Sequence, residues 1–168
     1  MKLNLGCGRQ KLEGFVNIDS DPKLKPDIVA DLEKGLPMIK DNSVDFVYAH
    51  SILEHIKNLS NLMEEIYRVC KNNAVVKIVV PFYGSELAYR DPTHVRVFTE
   101  KTFEFFDKEL CKKAYPWVNL KYDFKVKKIE LSGGCFSFLY KYMPIKVIKH
   151  LFRHSIDEMC VELIVNKI

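Results

Sequence analysis

Apolar positions along this chain fall into short runs divided by turn residues. Residues 2–5 form the first run, stopped by Gly6-Cys7-Gly8, and residues 15–18 the second, stopped by Asp19-Ser20-Asp21-Pro22. Pro26-Asp27 precedes a third run at 28–30, which ends at Asp31. Residues 44–49 make a fourth, and residues 75–80, β-branched except for Lys77 and closed by Pro81, make the clearest of all. Such runs bounded by Gly, Pro, Asn and Asp read as strands. Between the last two, Leu59, Leu62, Met63, Ile66, Val69 and Cys70 recur at three- and four-residue spacing. That spacing predicts a helix, capped at its start by Asn58 or Ser60 and ended by Lys71-Asn72-Asn73. Strand, helix, strand in this order predicts a parallel α/β sheet covered on both faces. A second helix is expected from Thr99 through Phe103, Phe106 and Leu110. Runs at 120–131 and 159–165 predict two late strands paired like a hairpin.

A chain of 168 residues with 48% apolar and 29% charged residues suits a single globular domain, and wholesale disorder is excluded. The longest stretch without a charge, residues 131–140, is far short of the ~20 that a membrane span needs. No basic-then-apolar leader opens the sequence, so a cytoplasmic protein is expected. Five cysteines (Cys7, Cys70, Cys111, Cys135 and Cys160) include no C-x-x-C pair, which speaks against a disulfide framework or structural zinc and for a reducing compartment. The formal charge is +4. Residues 131–156 contain no acid and carry Lys141, Lys146, Lys149 and Arg153, so that segment holds a charge equal to the whole excess. A nucleic-acid binder usually spreads more positive charge over a face, and nucleic acid is a disfavoured partner.

The first turn after a strand is where an open α/β sheet receives a nucleotide-like ligand. Gly6 and Gly8 allow a sharp turn there and a ligand approach without a Cβ atom. The third glycine of the dinucleotide fingerprint would fall at Lys11, and its absence speaks against NAD. Asp19 ends the second strand, where an acid can accept both hydroxyls of a ribose. Asp31 ends the third, where an acid can accept from an adenine amino group. Each alone suits an ordinary turn. Glycine loop, acid and second acid in that order imply a ligand with an adenosine and no pyrophosphate.

The segments LNLGCG, GFVNID, ADLEKGLPMIKDNSVDFVYAHSILEHI and RVCKNNAVVKIVVP resemble the class I S-adenosylmethionine-dependent methyltransferases, and most of all the small methyltransferase-11-type enzymes. The resemblance covers roughly residues 2–100. It implies a Rossmann-like, seven-stranded, mostly parallel sheet with an antiparallel last strand, in one methyltransferase domain over residues 1–168. It also implies S-adenosylmethionine as cofactor. Gly6, Cys7 and Gly8 would line the methionine part, Asp19 the ribose with Ser20 beside it, and Asp31 with Leu32 the adenine. Two departures stand out. The family often has an acid at the place of Asn4, and only ten residues separate Gly8 from Asp19, so the first crossover must be shortened.

Methyl transfer needs alignment and exclusion of water, and a base where the acceptor is a hydroxyl or a protonated amine. His50 follows the fourth strand and is placed with the cofactor. His55, in Leu53-Glu54-His55, reads as a packing or helix-start residue. His94, with Asp91 to orient it, is the candidate base. His150 and His154 fall in the basic segment and read as solvated. An E-x-x-E-H metal set would need an acid where Ser51 stands, so no metal is expected. Among Phe98, Phe103, Phe105, Phe106, Tyr115 and Trp117, most read as core and some as walls of an acceptor pocket. Residues 132–156, with Ile145, Ile148, Leu151 and Phe152 at helical spacing, read as an amphipathic lid, with contact to an anionic surface as the sharper alternative. The expected activity is methyl transfer to a small molecule at oxygen or nitrogen. The alternatives are a non-catalytic subunit binding an adenosine ligand and a nucleic-acid-modifying methyltransferase. The sequence leaves the oligomeric state open.

Overall fold

Each predicted strand forms. In the computed structural model, which describes residues 1–133, 142, 144, 147 and 156–167, they are β1 (Lys2–Leu5), β2 (Val16–Asp19), β3 (Ile28–Val29), β4 (Val44–His50), β5 (Cys70–Pro81), β6 (Phe124–Ser132) and β7 (Glu158–Val165). They make one sheet in the order β3-β2-β1-β4-β5-β7-β6. Strands β1 to β5 are parallel to one another, and β7 runs antiparallel to both β5 and β6. The expected Rossmann-like sheet with an antiparallel last strand is therefore the observed one. Among the described residues no helix is long and apolar enough to cross a membrane. The lid and surface-contact readings of residues 132–156 fall almost wholly outside the described residues.

The sheet register shows where the core sits. Leu3 aligns with Val47, Val47 with Val76 and Val76 with Leu163; Leu5, Ala49, Ile78 and Val161 form the next row. All of these are fully buried, and side chains alternate across a strand, so they share one face. Helix α1 (Leu59–Val69) lays Leu62, Met63, Ile66 and Val69 into the same core. The intervening positions Asn4, Tyr48, Lys77 and Glu162 form a polar row on the opposite face. The apolar cluster is thus one-sided among the described residues, where the sequence predicted cover on both faces.

Two helix boundaries differ from expectation. Cys70 does not continue α1; its extended backbone caps it and begins β5, and burial pushes its thiol up to about 12. Lys71-Asn72-Asn73 then form an outward excursion of that strand, since Cys70 pairs with Val44 but Val75 with Phe46. The predicted helix from Thr99 to Leu110 is instead a 3-10 segment, Glu100–Phe106, followed by α2 (Lys108–Ala114). Three residues per turn put the buried Phe103 and Phe106 on one face. Asp107 stops the first piece in an extended conformation and caps the second, accepting from the Glu109 and Leu110 N–H groups at 2.9 and 3.1 Å.

The shortened first crossover holds no helix. Side-chain hydrogen bonds stand in its place. The Asn4 amide, almost fully buried, donates to the Gln10 carbonyl and to Asn17 Oδ1, each at 2.9 Å. Asn17 Oδ1 also accepts from the Leu12 N–H at 2.8 Å, and its amide donates to the Leu12 and Phe15 carbonyls and to Asp27. The Asn17 backbone N–H and then its amide hold the Asp27 carboxyl below its ordinary value, so this contact adds stability at neutral pH that fades as acid protonates Asp27. An aspartate at position 4 would have no proton to offer Gln10 or Asn17. Asn4→Asp and Asn17→Ala are therefore each expected to lower unfolding free energy by about 2 kcal/mol or more, the scale of buried groups left unpaired. Urea denaturation measures this, and midpoints equal to the parent's would remove these hydrogen bonds as the crossover's support.

Candidate functional site

The glycine loop, both acids, His50, His55, Asp91 and His94 all lie at or after the carboxyl ends of the parallel strands. Gly6 and Gly8 both have left-handed backbones, at φ +62° and +52°. Their surroundings differ. A Cβ on Gly6 would come within 2.5 Å of the Ile52 side chain, whereas a Cβ on Gly8 would meet nothing within 4 Å. The loop is therefore packed beneath Gly6 and open above Gly8. Between them Cys7 is buried, its N–H donates to the Ile18 carbonyl at 3.0 Å, and burial raises its thiol pKa.

The Gly8 N–H donates to Asp19 Oδ2 at 2.8 Å, which ties the acid ending β2 to the loop ending β1. Asp19 Oδ1 accepts from the Asp21 N–H at 3.0 Å, and Ser20 stands exposed between them. Asp31 caps the 3-10 turn Leu32–Lys34, accepting from the Glu33 N–H at 3.0 Å. The Leu32 side chain is taken up by the core, which leaves its backbone to line a ligand. His50 closes β4 on the polar face, with Nδ1 3.3 Å from the Tyr48 hydroxyl and Nε2 3.3 Å from Glu158 Oε1.

A second group of residues lies just beyond β4. Leu53–His55 is a 3-10 turn whose Leu53 and Glu54 are buried. The loop after β5 docks on it: Val95 N–H donates to the Glu54 carbonyl at 2.9 Å, and the Arg96 guanidinium to the Ile56 and Lys57 carbonyls at 2.6 and 2.7 Å. This brings the His55 and His94 rings to 4.7 Å, edge to face. Glu54 is 1% exposed, and neither of its carboxylate oxygens has a hydrogen-bond partner. Burial raises its pKa, against smaller lowering effects from its own backbone N–H, which makes no hydrogen bond to it, and from the nearby histidines.

The two histidines are held alike. His94 Nδ1 lies 3.1 Å from the Ala88 carbonyl, which can only accept, so Nδ1 carries the proton. The Thr93 hydroxyl donates to Asp91 Oδ1 at 2.7 Å, so its oxygen accepts from His55 Nδ1 at 3.0 Å. In the neutral form of each ring the lone pair is then on Nε2. Asp91 was expected to orient His94. It reaches His55 instead, through Thr93, whose side chain and then backbone hold the Asp91 carboxyl below its ordinary value. From the sequence His55 reads as a packing or helix-start residue and Glu54 only as part of an incomplete metal set; the signal for the two is an acid-histidine pair immediately after a strand of the site edge. Nearby, a cavity of about 500 Å³ opens between the start of α1 and the 3-10 segment, with Arg96, Phe105, Phe106 and Tyr115 in its wall. Phe98 and Phe103 are fully buried core, and Trp117 is exposed.

Residues 3–78, just under half the chain, match the family model described as a methyltransferase domain. The fold is that of the class I methyltransferases. A structure of a SAM-dependent methyltransferase from Archaeoglobus fulgidus is similar with a TM-score of 0.69 and 20% identity, covering 97% of this chain and 85% of that one. A methyltransferase structure from Bacillus halodurans, called putative by its own description, gives 0.65 and 12% over 99% and 92%. A methyltransferase described in complex with the Trm112 activator, from Haloferax volcanii, gives 0.64 and 12% over 99% and 82%. No curated protein matches the sequence. The two loop glycines differ in what a side chain would meet. Gly6→Ala should cost roughly 2 kcal/mol or more, since it adds the Ile52 contact to the strain of a left-handed side chain, while Gly8→Ala carries the strain alone, about 1 kcal/mol. Equal losses in urea unfolding would show that Ile52 does not close the space under Gly6.

Proposed function

We propose that the chain binds S-adenosylmethionine at the carboxyl edge of β1 to β3 and transfers its methyl group to a small acceptor at oxygen or nitrogen. The observation that carries this is the 2.8 Å hydrogen bond from Gly8 to Asp19, which joins the open part of the glycine loop to the acid of β2. When bound, the cofactor supplies a sulfonium methyl whose carbon is attacked by the acceptor's lone pair while the broken C–S bond's electrons stay on sulfur. Gly6, Cys7 and Gly8 flank the methionine part, Asp19 and Ser20 the ribose, Asp31 and the Leu32 backbone the adenine, and His50 the far wall. His94, with its lone pair on Nε2, takes the proton that the acceptor loses. Asp91 belongs to the same group through Thr93 and His55. The zero net charge outside residues 131–156 supports a small acceptor over a nucleic acid. Cys7, Cys70, Cys111 and Cys160 are free thiols, which supports the reducing cytoplasm as the location.

Calorimetric titration with S-adenosylmethionine, S-adenosylhomocysteine and NAD tests the cofactor. The first two should bind and NAD should not. Asp19→Ala, checked for unchanged circular dichroism, should weaken S-adenosylmethionine binding by roughly 2 kcal/mol, the scale of lost charge-assisted hydrogen bonds. Unchanged affinity in that variant would mean that the ribose does not sit at Asp19.

A further inference from the structure

We infer that Glu54, His55 and His94 together bind a divalent transition-metal cation. One ligand atom from each of these side chains lies within 4.8 Å of the others. Two features set this group apart from a chance cluster. The first is Glu54, 1% exposed with both oxygens unpartnered. A carboxyl group removed from water without a partner is costly, and a cation between it and two imidazoles removes that cost. The second is the arrangement of the histidines. Each commits Nδ1 to an oxygen, His94 to the Ala88 carbonyl and His55 to Thr93, and Thr93 is held in turn by Asp91. Metal-bound histidines are oriented in this way, with the outer nitrogen on a carbonyl or carboxylate chain and the inner nitrogen left for the ion.

The donor set indicates which ion. Two imidazole nitrogens and one carboxylate suit zinc, cobalt, nickel, iron or manganese, whereas magnesium and calcium favour all-oxygen sets. Three protein ligands also leave a coordination position open. The expectation of a metal-free protein rested on Ser51 standing where a further acid would be needed. The third ligand comes instead from His94, brought over by the docked loop after β5. With an ion in place His94 is a ligand and no longer a free base, and an acceptor oxygen at the open position would be acidified by the metal. The inference does not rest on the cofactor reading, because it is tested with the metal alone.

The experiment uses the full chain treated with chelator, then titrated with Zn²⁺ by calorimetry and with Co²⁺ by visible absorption. About one cation per chain is expected, with a cobalt spectrum lacking the thiolate charge-transfer band that binding at Cys7 or Cys160 would give. Glu54→Gln and His94→Gln should each weaken binding at least tenfold, about the least that even outer partners of a metal site contribute. The glutamine at 94 can still donate to the Ala88 carbonyl, and melting curves identify any variant that fails to fold. His50→Ala, which removes the third described histidine, the one beside Glu158, should bind the cation as the parent does. Absence of stoichiometric binding by the folded parent, or binding undiminished in both glutamine variants, would overturn the inference.

Discussion

The joining of β1 to β2 without a helix is the constraint on which the rest of this structure depends. A right-handed crossover normally sets two parallel strands side by side by packing a helix on the sheet. Here the ten residues after Gly8 cannot supply one. Two asparagines on adjacent strands, Asn4 and Asn17, are paired in register and hydrogen-bonded to each other and to the backbone of the connection. Polar groups buried in this way stabilise only when nearly every donor and acceptor is met, and these are. The amide at position 4 is the only side chain of its shape that can donate to both partners, which accounts for the departure from an acid there.

This arrangement also explains why, among the described residues, the apolar cluster lies on one face of the sheet. With no helix after β1, the positions that alternate with the apolar rows have no apolar cover from that crossover. Between the two apolar rows these are Asn17, Asn4, Tyr48, Lys77 and Glu162, matched across the strands as one polar row. The apolar rows carry the core with α1, and Glu162 of the polar row pairs with Lys127. Both faces meet at the carboxyl edge, where the glycine loop turns.

Much of this was legible from residue spacing. Short β-branched runs with Gly, Pro and Asp at their ends marked the strands, because strand breaks need residues that tolerate turns. Helix α1 was legible for the same reason, through Leu62, Met63, Ile66 and Val69. The segment after Thr99 was not. Phe103 and Phe106 fit a 3-10 turn as well as an α-helix, and only the cap at Asp107 separates the two pieces. The pairing of Asp91 was illegible for a different cause. Neighbours in sequence suggested Asp91 with His94, but Asp-Pro-Thr curls so that Asp91 holds Thr93, and the long-range docking of Val95 and Arg96 decides which ring that threonine meets. Glu54 was hidden because burial is a tertiary property that a single acid in a sequence does not show.

The bond between Gly8 and Asp19 has a consequence for recognition. An ionised carboxylate offers about four lone-pair positions, two on each oxygen. In this structure Gly8 takes one on Oδ2 and the Asp21 N–H takes one on Oδ1. Each oxygen is left with one free position, and the carboxylate is fixed in orientation before any ligand arrives. Two free acceptor positions on a rigid carboxylate match two neighbouring hydroxyls better than one, since a single hydroxyl would leave the second position to water. A sugar bearing a 2′,3′-diol fits this geometry, and a deoxyribose or a phosphate would not. The same two backbone donors that shape the turn thereby fix the free acceptor positions of Asp19, so the short loop that replaces a helix also orients the acid at the edge it closes.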